Sequence, residues 1–121
     1  MEKTILIVED SPTIRKFITI AIKVLGHKVI TAEDGMQALE KLPIQKIDML
    51  ITDLNMPNID GFKLIEEVRK QEQYKDLPII VLSSLAKDDD VKKGLDAGAD
   101  AYLVKPFNQK KIQYEVIKFL G

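Results

Sequence analysis

Three acids stand where apolar runs end. Asp53 follows Met49-Leu50-Ile51-Thr52 and precedes Leu54-Asn55-Met56-Pro57, while Glu9 and Asp10 follow Ile5-Leu6-Ile7-Val8. A hydrophobic strand that runs out into a carboxylate points that side chain at a site, and two such strands suggest one acidic pocket. Two unit charges about 4 Å apart repel by roughly 4 kcal/mol at an effective dielectric near 20. Such a cluster must protonate, pair or bind a cation. Oxygen ligands without His or Cys favour Mg2+ over zinc or copper. Two further apolar runs end in polar groups, one at Ser83-Ser84 and one at Lys105. A carboxylate faced by a divalent ion, a lysine and a hydroxyl is arranged to form and stabilise a phosphoryl adduct. The cations would neutralise the phosphoryl oxygens and Ser83 would donate a hydrogen bond.

The elements that must position these groups alternate along the chain. Thr4–Val8, Lys28–Thr31, Asp48–Asp53, Pro78–Ser83 and Ala101–Lys105 read as five short strands rich in Ile, Val and Leu. Four lack the in-out alternation of a half-exposed sheet, which favours strands buried on both faces. Between them lie five segments with helical spacing. The first carries a stripe of Ile14, Phe17, Ile18, Ala21, Val24 and Leu25, with Ser11 as N-cap, Pro12 as first helical residue and Gly26 as the stop. The second runs from about Met36 to Leu42 and ends at Pro43. The third starts near Gly61, with Phe62, Ile65 and Val68 on its stripe. The fourth runs from Asp88 to Gly98, with Asp88 as its cap, and the fifth starts near Asn108 and carries Ile112, Val116, Ile117 and Leu120. Five strand–helix pairs predict an α/β, doubly wound domain with a parallel sheet. Ligands of such sheets sit outside the carboxyl ends of the strands, where Glu9, Asp10, Asp53, Ser83 and Lys105 fall. The second strand is expected at the sheet edge, outside the site.

Composition sets the boundaries. The chain has 121 residues, with 18 basic against 19 acidic side chains and no cysteine. A single soluble domain with a real core is expected, with no overall pull toward nucleic acid or a membrane and no disulfide or thiolate metal site. The first apolar run breaks at Glu9, too early for a signal peptide. These features predict one cytoplasmic domain over residues 1–121, without an output domain.

Four motifs in order carry a resemblance. Ile5-Leu6-Ile7-Val8-Glu9-Asp10, Asp53-Leu54-Asn55-Met56-Pro57 with Asp60-Gly61, Leu82-Ser83-Ser84, and Gly98-Ala99-Asp100-Ala101-Tyr102-Leu103-Val104-Lys105-Pro106-Phe107 together resemble the response-regulator receiver domains, the CheY-like family. The resemblance implies a flavodoxin-like (βα)5 fold and a phosphorylation-activated switch of a two-component system. Asp53 would take a phosphoryl group from the phosphohistidine of a histidine kinase or a histidine phosphotransfer protein. Asp10, Asp53 and the Asn55 carbonyl would bind Mg2+, with Glu9 acting partly through water. Lys105, with Ser83 and Ser84 near it, would bind the phosphoryl group on Asp53, and Ser83 and Tyr102 would be the switch pair. A cis Lys105-Pro106 bond is also implied. The chain departs from many members in carrying Glu9 where they have Asp, and Leu85 is an apolar residue expected to shield the acyl phosphate and slow its hydrolysis.

Other readings are weaker. A small phosphatase with an Asp nucleophile would want a second Asp where Asn55 stands. A flavin carrier would want a phosphate loop where Glu9-Asp10 would repel the ligand. A receiver excised from a larger regulator or hybrid kinase remains an alternative. Asp88-Asp89-Asp90 suits the start of a helix, whose dipole favours acids, better than a calcium site. His27 reads as a rim residue of a turn. Lys87, Lys92, Lys93, Lys110 and Lys111 read as solvated, with a partner-docking face beside Tyr102 as the functional alternative. The downstream protein target is not encoded in a readable motif, and a monomer or weak dimer is expected.

Overall fold

Successive residues along each apolar run point alternately to opposite faces, so a strand whose every residue is apolar needs a helix layer on each side. The computed structural model, which describes residues 2–56 and 58–121, has that arrangement. Met1 and Pro57, the last residue of the Asp53–Pro57 motif, lie outside the described residues. The strands are β1 (Thr4–Val8), β2 (Lys28–Ala32), β3 (Met49–Asp53), β4 (Ile79–Ser83) and β5 (Ala101–Val104). The helices are α1 (Pro12–Lys23), α2 (Gly35–Lys41), α3 (Gly61–Arg69), α4 (Asp88–Ala97) and α5 (Gln109–Leu120), with a 3-10 turn at Glu72–Tyr74. All pairings are parallel, in the order β2-β1-β3-β4-β5. The three central strands are therefore β1, β3 and β4, and β2 is an edge strand as expected.

The alternation sorts the core into two layers. Ile5, Ile7, Met49, Ile51, Ile80 and Leu82 face Ile18, Ala21 and Ile22 of α1 and Ile112 and Val116 of α5. Leu6, Val8, Leu50 and Val81 face Ala38 of α2 and Leu64, Ile65 and Val68 of α3. Each fully buried Leu or Ile contributes about 1.5–3 kcal/mol of burial free energy, so the sheet's centre is rigid and its carboxyl ends are well fixed. β5 is less covered, with Ala101, Tyr102 and Leu103 half-buried and Val104 exposed. Its half-exposure departs from the two-sided burial expected, because β5 is the other edge strand.

Helix starts follow their capping residues. Ser11, Asp34, Asp60 and Asn108 each accept from the third backbone N–H of the helix that follows, the usual way of satisfying an exposed donor. α4 corrects one expectation. Lys87, not Asp88, is the N-cap, and its side chain makes no capping bond. The Lys87 carbonyl already accepts from Asp90 and Val91, which puts Asp88, Asp89 and Asp90 inside the first turn, where they complement the dipole. The α1 stripe is also corrected. Ile22 is buried, whereas Val24 is 70% exposed, because the helix ends at Lys23 and Val24 is its cap. Phe17, and Ile117 on α5, likewise stand on the outer surface.

Candidate functional site

The carboxyl ends of β1 and β3 lie side by side, with Val8 opposite Thr52. The residues just beyond them follow. One carboxylate oxygen from each of Glu9, Asp10 and Asp53 falls within 4.8 Å of the others. Glu9 and Asp53 are buried and Asp10 is exposed. The cluster thus opens to solvent on the Asp10 side. Asp53 accepts from its own following amide, Leu54 N–H to Oδ1 at 2.8 Å, which leaves Oδ2 facing the pocket. Glu9 Oε1 accepts from Ser11 N–H at 3.1 Å.

Lys105 supplies the opposing charge. It lies just past β5, and its Nζ stands 3.4 Å from Glu9 Oε2 and 3.4 Å from Asp53 Oδ2. Its backbone N–H donates to the Ser83 carbonyl at 2.7 Å, which continues the β4–β5 ladder and fixes where the side chain starts. The Lys105-Pro106 bond is cis, as the resemblance implied. Ser83 is fully buried at the end of β4, and its Oγ accepts from Leu85 N–H at 3.0 Å. A hydroxyl in that role keeps its own proton for donation. Tyr102 donates from its hydroxyl to the Leu85 carbonyl at 2.8 Å. The two switch candidates therefore meet at one residue, Leu85, through its two main-chain groups.

The remaining site candidates are less involved. Asn55 and Ser84 are exposed. Lys87, Lys92, Lys93, Lys110 and Lys111 are all exposed, and three of them have neighbours that place them. Lys93 Nζ sits 4.3 Å from the centre of the Phe62 ring, turned toward α3. Lys110 and Lys111 instead border a concavity of about 690 Å³ with Tyr102, Val104, Tyr114 and Glu115. His27 is not near the acids; its Nδ1 accepts from Lys3 N–H.

One contributor was missed from sequence. Arg15 donates from Nη1 to the Glu9 carbonyl at 2.8 Å. The signal was present, since Arg15 lies one helical turn after Ser11, but an arginine on a helix surface is usually solvated.

Burial dominates the electrostatics of Glu9. Removal from water raises its carboxyl above the ordinary value of 4.5, the Ser11 amide lowers it, the Asp53 charge raises it and Lys105 lowers it, with a net upward shift. The native state then holds the proton more tightly than the unfolded chain. The stability this gives is fully present below the unfolded value and is lost as pH rises through the raised native value. Without metal, Glu9→Gln is therefore expected to be more stable than wild type at pH 7. Urea midpoints in EDTA should show that gap closing on acidification through Glu9's range; a gap independent of pH would contradict it.

The acids suit a hard divalent cation. Their donor atoms are all oxygen, they are close enough to share one ion, and no His stands among them. That chemistry fits Mg2+.

Comparisons with known proteins agree with this geometry. The family model described as "Response regulator receiver domain" matches residues 5–117. A gliding motility regulatory protein of Myxococcus xanthus is 45% identical over 101 residues, which are 84% of this chain and 13% of that protein. A probable transcriptional regulator, ycf27, of Cyanophora paradoxa is 35% identical over 98% of this chain and 48% of its own length. The chain thus spans about half or less of these curated relatives. The chemotaxis protein CheY4 of Vibrio cholerae superposes with a TM-score of 0.93 at 35% identity, covering 99% of this chain and all (100%) of that one. The receiver domain of a sensor histidine kinase from Pseudomonas aeruginosa, solved with magnesium coordinated in its active-site cleft, gives 0.90 at 33% identity with 98% of each chain covered. Among the described residues no helix is long and apolar enough to cross a membrane. The chain belongs to the response regulator receiver domain family, the phosphorylation-activated switches of two-component signalling.

Proposed function

We propose that Asp53 is the phosphoacceptor of this receiver and that a histidine kinase or histidine phosphotransfer protein is its donor. The observation that carries the reading is the pairing of three clustered carboxylates with an ammonium 3.4 Å from Asp53 Oδ2. Asp53 Oδ2 attacks the phosphorus of the phosphohistidine, the P–N bond breaks, and its electron pair returns to the imidazole, which takes up a proton. Lys105 faces the oxygen that gains the phosphoryl group and offsets its charge. Ser83 turns its free hydroxyl proton to a phosphoryl oxygen. That motion draws on the Leu85 amide and, through the Leu85 peptide, on Tyr102. Glu9, Asp10, Asp53 and the Asn55 carbonyl would hold Mg2+, which when bound supplies charge neutralisation at the transferring group. Leu85, half-buried beside the site, shields the acyl phosphate from water. The protein acts in the cytoplasm, as a monomer or weak dimer, on a protein target that docks beside Tyr102 and Lys110–Lys111.

The test is incubation with acetyl phosphate and Mg2+ followed by intact-mass measurement. A gain of one phosphoryl group is expected, absent from Asp53→Ala. Equal gain in the variant would move the acceptor elsewhere, and no gain in either would set the reading aside. The small share of their length that the relatives devote to this region favours a second reading, that this is the receiver unit of a longer regulator or hybrid kinase with the same chemistry.

A further inference from the structure

We infer that Arg15 is a positioning residue for the divalent-cation site, acting through the main chain of Glu9 and not by its charge. The inference rests on the reading of Glu9, Asp10 and Asp53 as a Mg2+ site. The loop from Glu9 to Ser11 carries two of the three acids, and its geometry depends on how the Glu9 peptide groups are held. Glu9 N–H donates to the Ala32 carbonyl at 3.1 Å, across to β2. The Glu9 carbonyl accepts from Arg15 Nη1 at 2.8 Å. That carbonyl belongs to the peptide that leads directly into Asp10, so the Arg15 bond holds the peptide before the exposed acid as the Ser11 N–H bond to Glu9 Oε1 holds the one after it. With Arg15 in place Glu9 itself is only 1% exposed, so the guanidinium and not solvent serves that carbonyl.

Arg15 is well placed to hold still. Its backbone N–H donates to the Ser11 carbonyl at 2.9 Å in the first turn of α1, and its side chain is 19% exposed. Its other contact, to Glu33 Oε1 at 3.9 Å, involves a side chain 66% exposed. An ion pair that open to solvent contributes little. The use of the guanidinium is therefore the carbonyl.

Charge and positioning make opposite predictions. A nearby positive charge repels a divalent cation, so its removal would tighten binding. A residue that orients the ligand loop would instead weaken binding when removed, and outer residues of this kind commonly carry 10–100-fold in metal affinity. The two cations Mg2+ and Ca2+ sharpen the distinction. Mg2+ demands near-octahedral geometry, whereas Ca2+ accepts flexible arrangements of six to eight oxygens. Loss of loop order should penalise Mg2+ more.

The experiment is calorimetric titration of each cation alone into metal-free protein, without phosphodonor, at a temperature where circular dichroism shows each variant folded. Arg15→Ala is expected to weaken Mg2+ by roughly tenfold and Ca2+ by clearly less. Arg15→Lys keeps the charge but loses the planar fork, and is expected to fall between wild type and Arg15→Ala. Glu33→Gln should leave both affinities at wild-type values. Tighter binding by Arg15→Ala, no change, or equal weakening of both cations would overturn the inference while leaving the metal reading intact. Wild type that binds neither cation would overturn both together. If Arg15→Ala does not fold, Arg15→Lys carries the same comparison, and wild-type Mg2+/Ca2+ selectivity in that variant would overturn the inference.

Discussion

Gly61→Ala should lose at least about 3 kcal/mol of stability, the upper end of what overpacking a well-ordered site costs. In a chain of this size that corresponds to a melting temperature lower by roughly 10 °C or more. Gly61 opens α3, and its N–H donates to the Leu54 carbonyl at 3.0 Å, so the helix start lies directly on the residues that follow β3. A Cβ at Gly61 would overlap the Asp53 carbonyl oxygen and stand 2.7 Å from Leu54 Cα. Those neighbours are backbone, so no rotamer change can relieve the contact. Either α3 lifts from the residues that follow β3, or the end of β3 shifts and carries Asp53 with it. The folded fraction should then also take up phosphoryl slowly. Gly26→Ala is the matched control. Gly26 has φ +87 and nothing within 4 Å of a built Cβ, so only left-handed backbone strain of about 1–2 kcal/mol applies. Thermal melts of the two variants should separate them clearly. Equal destabilisation, or a Gly61→Ala melt at the wild-type temperature, would show that the contact yields.

The second large effect belongs to Arg69, at the far end of the same helix. Its Nε and Nη2 donate to the Gly98 carbonyl at 3.0 and 2.8 Å. Its Nη1 donates to the Tyr74 and Leu77 carbonyls at 2.8 and 2.7 Å, and Nη2 pairs with Asp100 Oδ2 at 3.0 Å. That carboxylate oxygen also accepts from Ile79 N–H at the start of β4. One guanidinium thus ties the end of α3, the 3-10 turn, the α4–β5 connection and the start of β4. Losing it leaves the partly buried Gly98 and Leu77 carbonyls without donors, each costing about 1–3 kcal/mol, while the Tyr74 carbonyl keeps the Leu77 N–H. Arg69→Ala should therefore cost about 3 kcal/mol or more in urea unfolding. Arg69→Lys should recover less than half, since an ammonium has three donors and no planar fork. A lysine variant as stable as wild type would mean that charge alone, in its pair with Asp100, accounts for the residue. Phosphoryl uptake of whichever variant folds should stay near wild type, because no Arg69 partner touches Asp53.

The site was more legible in the sequence than the scaffold that tightens it. Glu9, Asp10, Asp53, Ser83 and Lys105 end strands made of mostly aliphatic runs, and parallel strands put their ends at one edge, so their meeting followed from pattern alone. The phase of α1 did not. Its apolar residues surround most of the helix, from Ile14 to Leu25, and whether Ile22 or Val24 turns inward depends on where the helix stops. The cap of α4 was misread because three successive Asp residues offer three candidate caps. Lys93 was read with the other lysines because its cation–π partner, Phe62, lies on another helix. Arg15 and Arg69 escaped for a common reason. Their partners are backbone carbonyls, which every residue carries, so nothing in a side-chain pattern marks them.

The charge balance at the Glu9–Lys105 contact has a consequence for how the chain is made. The two residues are 96 positions apart. Synthesis at about 5–20 residues per second separates their appearance by about 5–20 s. Until Lys105 emerges, Glu9, Asp10 and, once it is made, Asp53 have no ammonium to answer them, and the acidic corner between β1 and β3 closes only with a proton or a bound cation. β5 arrives next to last of the secondary elements and brings the lysine with it. The last strand to emerge is therefore the one that lets the first settle.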